Sequence, residues 1–256
     1  MSLLKPAKYD RKSKVWNKKN VIILALFFSV LAAGASYVNE KRASNISNDI
    51  PGWSWILGGK TVLIDAGHGG VDPGAIGLNR TLEKDINLEI SKRLQVLFTQ
   101  AGSNVVMLRE DDRDFGTSSK LLQRKREDLA YRIQTAMDTD ADIYLSVHSN
   151  SFPDQRQHGP QVFYHPDSEE GKKLAECIQA SLNKIASKKR AAKSNQSYFI
   201  LKNTEMVAVT IEIGFLSNAE EEQKLNQTDY QQRLSMAIFE GVGNYLSEGH
   251  SVVTDD

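Results

Sequence analysis

The chain has 256 residues, of which 40% are hydrophobic and 25% charged, enough for one folded domain of about 180 to 200 residues plus an appendage. Its formal net charge of 0 hides an asymmetry: residues 1–42 hold nine Lys or Arg and two acids, and the remaining 23 basic and 30 acidic residues give the body a charge of −7. An acidic body excludes nucleic acid as the expected partner, because binding phosphates requires clustered cations.

The first 58 residues indicate export from the cytoplasm. Residues 1–20 are basic and are predicted to stay cytoplasmic, and residues 21–38 form an uncharged apolar run long enough for a transmembrane signal or anchor. The small residues at 33–35 are typical of a cleavage site, so the sequence leaves open whether the segment is removed or retained. In either case the body lies outside the cytoplasm, after a predicted linker at 39–58.

From Lys60 onward, strand-like and helix-like segments alternate. We predict strands at 60–65, 104–109, 141–148, 159–165 and 206–215, and helices at 83–102, 124–138, 168–185 and 229–245. The basic stretch 187–196 is predicted as a solvated loop. This alternation predicts a single α/β domain at 59–248, followed by a tail at 249–256, with a central, largely parallel sheet flanked by helices on both sides.

The stretch VLIDAGHGGVDPGAIG, residues 62–77, places a histidine among five glycines directly after the first strand. A phosphate-binding loop is not supported, because no Lys with Ser or Thr follows the last glycine and the glycine spacing does not fit the dinucleotide pattern. Sites in such sheets form beyond the carboxyl ends of strands. Three polar residues fall at predicted strand ends, namely His68, His148 and Glu212.

His68 and His148, together with Glu83 at the start of the first long helix, are candidates for a metal site. Two histidines and a glutamate are a common catalytic zinc set, in which the fourth position is left for water. Glycine lets the backbone turn tightly enough for His68 and Glu83 to converge. On these residues alone, a core or hydrogen-bonded role for His148 stays open.

Glu212 stands alone in the apolar segment VAVTIEIGF. A carboxylate is rarely buried without a partner, so one interpretation is an ion pair with Arg109 or Arg132. The other interpretation is a general base with a raised pKa beside the metal. The sequence favours the base.

Four motifs in order, LIDAGHGGVDPGAIG, LEKDINL, YLSVHSNS and TIEIGFLSNAEE, resemble those of the zinc-dependent N-acetylmuramoyl-L-alanine amidase family, over residues 60–245. The resemblance implies hydrolysis of the amide between the lactyl group of N-acetylmuramic acid and L-alanine in peptidoglycan. It also implies roles for single residues: zinc ligands His68, Glu83 and His148, the catalytic base Glu212, and substrate contacts Asn150 and Arg109.

Within the family, the chain is most similar to sporulation amidases, whose action lets muramic δ-lactam form in the spore cortex. The single signal segment, the absence of wall-binding repeats and the stretch NQSYFILKN carry this similarity. It implies peptidoglycan as substrate, the membrane as a partner through residues 21–38, and a co-acting muramoyl deacetylase. The alternatives are a catalytically silent peptidoglycan-binding or partner-recruiting module, and a zinc peptidase acting within stem peptides.

Overall fold

The computed structural model describes residues 54–251. The predicted segments at 1–20 and 21–38, most of the linker and the last five residues of the tail lie outside the described residues. Of the helices within 54–251, none combines the length and the apolar character needed to cross a membrane.

Within these residues, strands and helices alternate along most of the chain. The strands are β1 (Thr61–Ala66), β2 (Asn104–Met107), β3 (Ile143–Asn150), β4 (Gln161–Tyr164), β5 (Lys193–Ser194) and β6 (Val207–Phe215). The helices are α1 (Ser54–Leu57), α2 (Glu83–Gln100), α3 (Leu121–Thr139), α4 (Glu169–Ile185), α5 (Phe199–Lys202), α6 (Ala219–Leu225) and α7 (Thr228–Ser251). The five strands and four long helices predicted from the sequence are all present.

The strands form one six-stranded sheet in the order β2-β1-β3-β6-β4-β5. The four strands β2, β1, β3 and β6 run parallel, β4 runs antiparallel to β6, and β5 runs parallel to β4. The prediction of a largely parallel sheet is therefore confirmed. The predicted loop at 187–196 contains the two-residue edge strand β5, which is too short to show alternation in the sequence.

Helices cover both faces of the sheet, as predicted. Leu63, Tyr144 and Ala208 pack in one cluster with residues of α3 and α5. Because side chains alternate along a strand, the buried residues between them, such as Ile64 and Val209, face the opposite side, where α2, α4 and α7 pack. The central strands β1, β3 and β6 are thus buried on both faces.

Helix boundaries follow local chemistry. Ser168 precedes α4 and its side chain accepts a hydrogen bond from Gly171 N, which caps the helix. Helix α7 continues to Ser251, beyond the predicted end at 245. Helix α1 lies inside the range predicted as linker, and its residues Ile56 and Leu57 are buried, so ordered structure begins before residue 59.

Candidate active site

Three candidate metal ligands converge at the carboxyl edge of the sheet. His68 follows β1 and His148 lies near the end of β3, and these neighbouring parallel strands end at the same edge. Glu83 is the first residue of α2. His68 Nε2 is 3.2 Å and His148 Nδ1 is 3.0 Å from Glu83 Oε1, and one donor atom from each residue lies within 4.8 Å of the others.

The glycines of the loop after β1 make room for these ligands. A Cβ atom on Gly67 would lie 2.3 Å from the His148 ring, and one on Gly74 would lie 2.5 Å from Glu83 Oε2. His68 itself adopts a positive φ of 63°, which turns the loop sharply. The glycine content of the loop thus reflects clearance around imidazole and carboxylate groups.

The Glu83 carboxylate is oriented by the backbone around it. Oε2 accepts a hydrogen bond of 2.7 Å from Ala75 N, and Oε1 accepts one of 3.0 Å from Ser149 N. Burial opposes the charged form, but the two imidazoles outweigh it and hold the pKa of Glu83 far below its usual range. The carboxylate is therefore ionised and ready to bind a cation.

Asp72 is a part of the site that the sequence reasoning missed. His68 Nδ1 donates to Asp72 Oδ2 over 2.9 Å, which leaves Nε2 facing Glu83. A histidine that binds metal typically donates its other ring N–H to a carboxylate in this way. Burial lowers the pKa of His68, but Asp72 and Glu83 outweigh it and raise that pKa to about 9. The signal in the sequence was an acid four residues after the histidine.

Glu212 lies in β6 directly beside His148 of β3. Its Oε1 accepts a hydrogen bond of 3.0 Å from the Tyr198 hydroxyl, and its Oε2 is buried without a partner among the described residues. Burial raises the pKa of Glu212. A carboxylate with one oxygen fixed and the other unpaired is suited to accept a proton. The stretch NQSYFILKN contains Tyr198, but no local pattern in it predicts a contact with Glu212.

The ion pair suggested as an alternative for Glu212 is not formed. Arg132 instead pairs with Asp65 and Asp128, and it donates to the carbonyl oxygen of His68 over 2.8 Å. Tyr144 donates to the other Asp65 oxygen over 2.9 Å. This buried network holds the backbone of the loop in place at His68 through the hydrogen bond from Arg132.

The two candidate substrate contacts differ in position. Arg109 is only 2% exposed, and its guanidinium donates to carbonyl oxygens of residues 66, 67, 84 and 111. Four of the five N–H donors of Arg109 thus hold backbone carbonyls of the loop and its surroundings, and its role as a substrate contact stays a prediction. Asn150 is half-buried at the end of β3 and stays a candidate.

A cleft of about 140 Å³ opens beside His68 and His148. Its walls are mixed, with the apolar side chains of Leu129 and Ile200 facing a cluster of charged groups that includes Lys125. The cleft therefore offers both charged and apolar surface to a bound molecule.

The residues fit a zinc ion. The donor set is two imidazoles and one carboxylate, the separations between donors are those of atoms sharing one ion, and Asp72 supplies the expected outer carboxylate. Glu212 lies alongside without belonging to the donor set. The arrangement can bind a divalent cation and move a proton next to it.

Comparison with known proteins agrees with this chemistry. A family model described as N-acetylmuramoyl-L-alanine amidase matches residues 62–244. The chain is 36% identical over 200 residues to the germination-specific N-acetylmuramoyl-L-alanine amidase of Bacillus subtilis, covering 77% of this chain and 84% of that protein.

Solved structures show the same similarity. The CwlD amidase of Clostridioides difficile, solved in complex with the GerS lipoprotein, has a TM-score of 0.72 and 36% identity, covering 74% of this chain and 99% of that one. The catalytic domain of the amidase CwlV from Bacillus (Paenibacillus) polymyxa has a TM-score of 0.64 and 29% identity, covering 73% and 98%.

Proposed function

This chain belongs to the N-acetylmuramoyl-L-alanine amidase family, and we propose that it is a zinc enzyme that releases stem peptides from peptidoglycan during maturation of the spore cortex. The bond cleaved is the amide between the lactyl group of N-acetylmuramic acid and L-alanine. The observation that carries the proposal is the convergence of His68, Glu83 and His148, with Glu212 beside them in the neighbouring strand.

His68, Glu83 and His148 hold the ion. A bound zinc ion supplies a Lewis acid that lowers the pKa of coordinated water toward about 7 and polarises a carbonyl group. Asp72 keeps the ring of His68 oriented, and the backbone N–H groups of Ala75 and Ser149 keep Glu83 in place.

Glu212 is the general base. Tyr198 holds Oε1, so the unpaired Oε2 is the oxygen that accepts a proton from the attacking water. The same oxygen then returns that proton to the departing amine of L-alanine. Burial suits this role, because a raised pKa makes the carboxylate a stronger base and its conjugate acid able to donate near neutral pH.

The cellular role is proposed from the relatives. The B. subtilis relative is named for germination, and cutting stem peptides from muramic acid is the step that a muramoyl deacetylase must complement before a lactam ring can close. We place the enzyme outside the cytoplasm, secreted or anchored by residues 21–38. Muropeptides from spores that lack this protein should contain no muramic δ-lactam.

The decisive experiment is mass spectrometry of peptidoglycan treated with the purified full chain. Wild type should produce intact stems with free L-alanine N-termini. Glu212→Gln should retain zinc and lose about 10²- to 10⁴-fold in rate, because only the proton acceptor is removed. His148→Ala should lose both zinc and activity. The exposed Glu205→Gln serves as the matched control and should behave as wild type.

Each alternative function has its own outcome. Cleavage between amino acids of the stem would identify a zinc peptidase. Binding of peptidoglycan with no released peptide would identify a silent binding module. Normal turnover by Glu212→Gln would refute the assignment of the base.

A further inference from the structure

We propose that Glu222, in helix α6, is a positioning residue for the metal site: it holds the tip of the loop at 77–81 so that the carboxylate of Glu83 is preorganised to bind the ion. The inference rests on the proposed function, since it takes Glu83 as a zinc ligand. Glu222 is outside the ligand set and acts through the loop.

Glu222 is a fully buried carboxylate, 0% exposed, with no cation paired to it among residues 54–251. Its contacts are neutral donors from one short segment. Asn79 N lies 2.9 Å from Oε1 and 3.0 Å from Oε2, Asn79 Nδ2 is 3.0 Å from Oε2, and Thr81 N is 3.3 Å from Oε1. Burial works to raise the pKa of Glu222, but these donors outweigh it and lower that pKa. The buried charge is therefore stabilised by the loop itself.

The loop tip is closed around this carboxylate. Gly77 N donates to Thr81 O over 2.8 Å, and Arg80 has a positive φ of 65° at the turn. A Cβ atom on Gly77 would lie 2.3 Å from Glu222 Oε1, so only glycine lets the backbone come this close. The loop tip and the Glu222 carboxylate are therefore in direct contact, with no space between them for a side chain at residue 77.

The other end of the same loop holds the metal ligand. Ile76 and Leu82 form an antiparallel bridge that joins the tip to the base of the loop. At the base, Glu83 N donates to Ala75 O over 3.0 Å and Ala75 N donates to Glu83 Oε2 over 2.7 Å. A displaced tip therefore changes the position of the donor that orients Glu83.

Glu221, the preceding residue, provides a matched control. It is also a buried glutamate of α6, 4% exposed, and it also accepts backbone hydrogen bonds. Its donors are Gly159 N and Phe215 N, each at 2.8 Å, and neither belongs to the loop at 75–83. Replacing Glu221 disturbs the same helix and the same kind of bond without touching the loop that orients Glu83.

The test compares the full-length wild type, Glu222→Gln and Glu221→Gln. The zinc affinity of each is measured by competition with a chelator, and the melting temperature of each is measured without metal. A glutamine turns an amide donor toward Asn79, so Glu222→Gln should weaken zinc binding about 10- to 100-fold, as outer-shell changes do. Both variants should lower the melting temperature of the metal-free protein by similar amounts. Glu221→Gln, however, should keep a zinc affinity within about twofold of the wild-type value.

Gly77→Ala is a second variant that removes no acid and pushes the Glu222 carboxylate away from the loop; it should also weaken zinc binding. Equal zinc affinity in Glu222→Gln and Glu221→Gln, or wild-type affinity in both Glu222→Gln and Gly77→Ala, would overturn the inference while leaving the zinc site intact. If the wild-type chain itself binds no zinc, the proposed function fails first and this inference fails with it.

Discussion

At the scale of single residues, the properties of Glu212 depend on a difference in hydrogen bonding between its two carboxylate oxygens. Oε1 accepts a hydrogen bond from the Tyr198 hydroxyl, and Oε2 is buried with no hydrogen-bond partner within residues 54–251. The hydrogen bond favours the charged form, whereas burial disfavours it, and burial has the larger effect on the pKa. The side chain is therefore a carboxylate that accepts a proton more readily than an exposed one.

Replacing Tyr198 with Phe should move the acidic limb of the pH profile of kcat/KM to higher pH. The lost hydrogen bond had lowered the pKa of Glu212, so that pKa rises, and the base becomes protonated and inactive at a higher pH as the solution is acidified. At pH values above the limb, the rate should fall much less than in Glu212→Gln.

Tyr164→Phe is the control for that experiment, since Tyr164 is a half-buried tyrosine of β4 and undergoes the same chemical change. Its acidic limb should coincide with that of wild type. An unmoved limb in Tyr198→Phe would show that the hydroxyl does not act on Glu212.

At the scale of elements, the face of the sheet opposite the site depends on close helix packing. Helices α4 and α7 form an extensive contact there, and Gly241 of α7 lies against the backbone of α4. A Cβ atom on Gly241 would lie 2.4 Å from Ile178 Cα. The glycine allows the two helices to approach at this point, far from the metal ligands.

Gly241→Ala should lower the free energy of unfolding, measured by denaturant titration, by about 1 to 3 kcal/mol. Alanine gains about 1 kcal/mol in helix propensity over glycine, but the clash is with backbone atoms that cannot rotate away, so overpacking is the larger effect. Asn244→Ala, at a half-exposed position of the same helix, should change stability little. A more stable Gly241→Ala protein would mean that the helices separate at no cost.

At the scale of the whole molecule, the metal site joins parts of the chain that are distant in sequence. His68, Glu83 and His148 come from the loop after β1, the start of α2 and the end of β3. Such a site exists only in the folded protein, so a bound ion stabilises the native state by mass action. The apolar core on both faces of the sheet does not depend on the ion.

Removing the metal with a chelator should lower the melting temperature without abolishing cooperative unfolding. At free zinc about 100 times the dissociation constant the ion contributes about 2.7 kcal/mol, which corresponds to a shift of about 5 to 11 °C for a domain of this size. His148→Ala should show no shift on addition of chelator. If calorimetry showed no change in the melting temperature of the wild type on addition of chelator, that result would contradict an ion bound at these residues.

The sequence by itself determined the class of the fold and predicted the chemistry of the site. Periodic apolar residues such as Ile86, Ile90 and Leu94 specify a helix through spacing alone, and the apolar run ending at Asp65 specifies a buried strand. The candidate site residues are each polar and lie at or near the end of a strand or helix within a motif, namely His68, Glu83, His148 and Glu212. These signals are local, so the sequence carries them directly.

Only the tertiary structure decided how those groups are held. Three hydrogen bonds around the site join residues that are between 14 and 143 positions apart in the chain. They are Tyr198 to Glu212, Arg132 to the carbonyl oxygen of His68, and Asn79 N to Glu222. The antiparallel direction of β4 and the burial of Arg109 are likewise set by neighbours. A hydrogen-bond partner is selected by position in space, and neither residue type nor periodicity records which distant donor reaches a given oxygen.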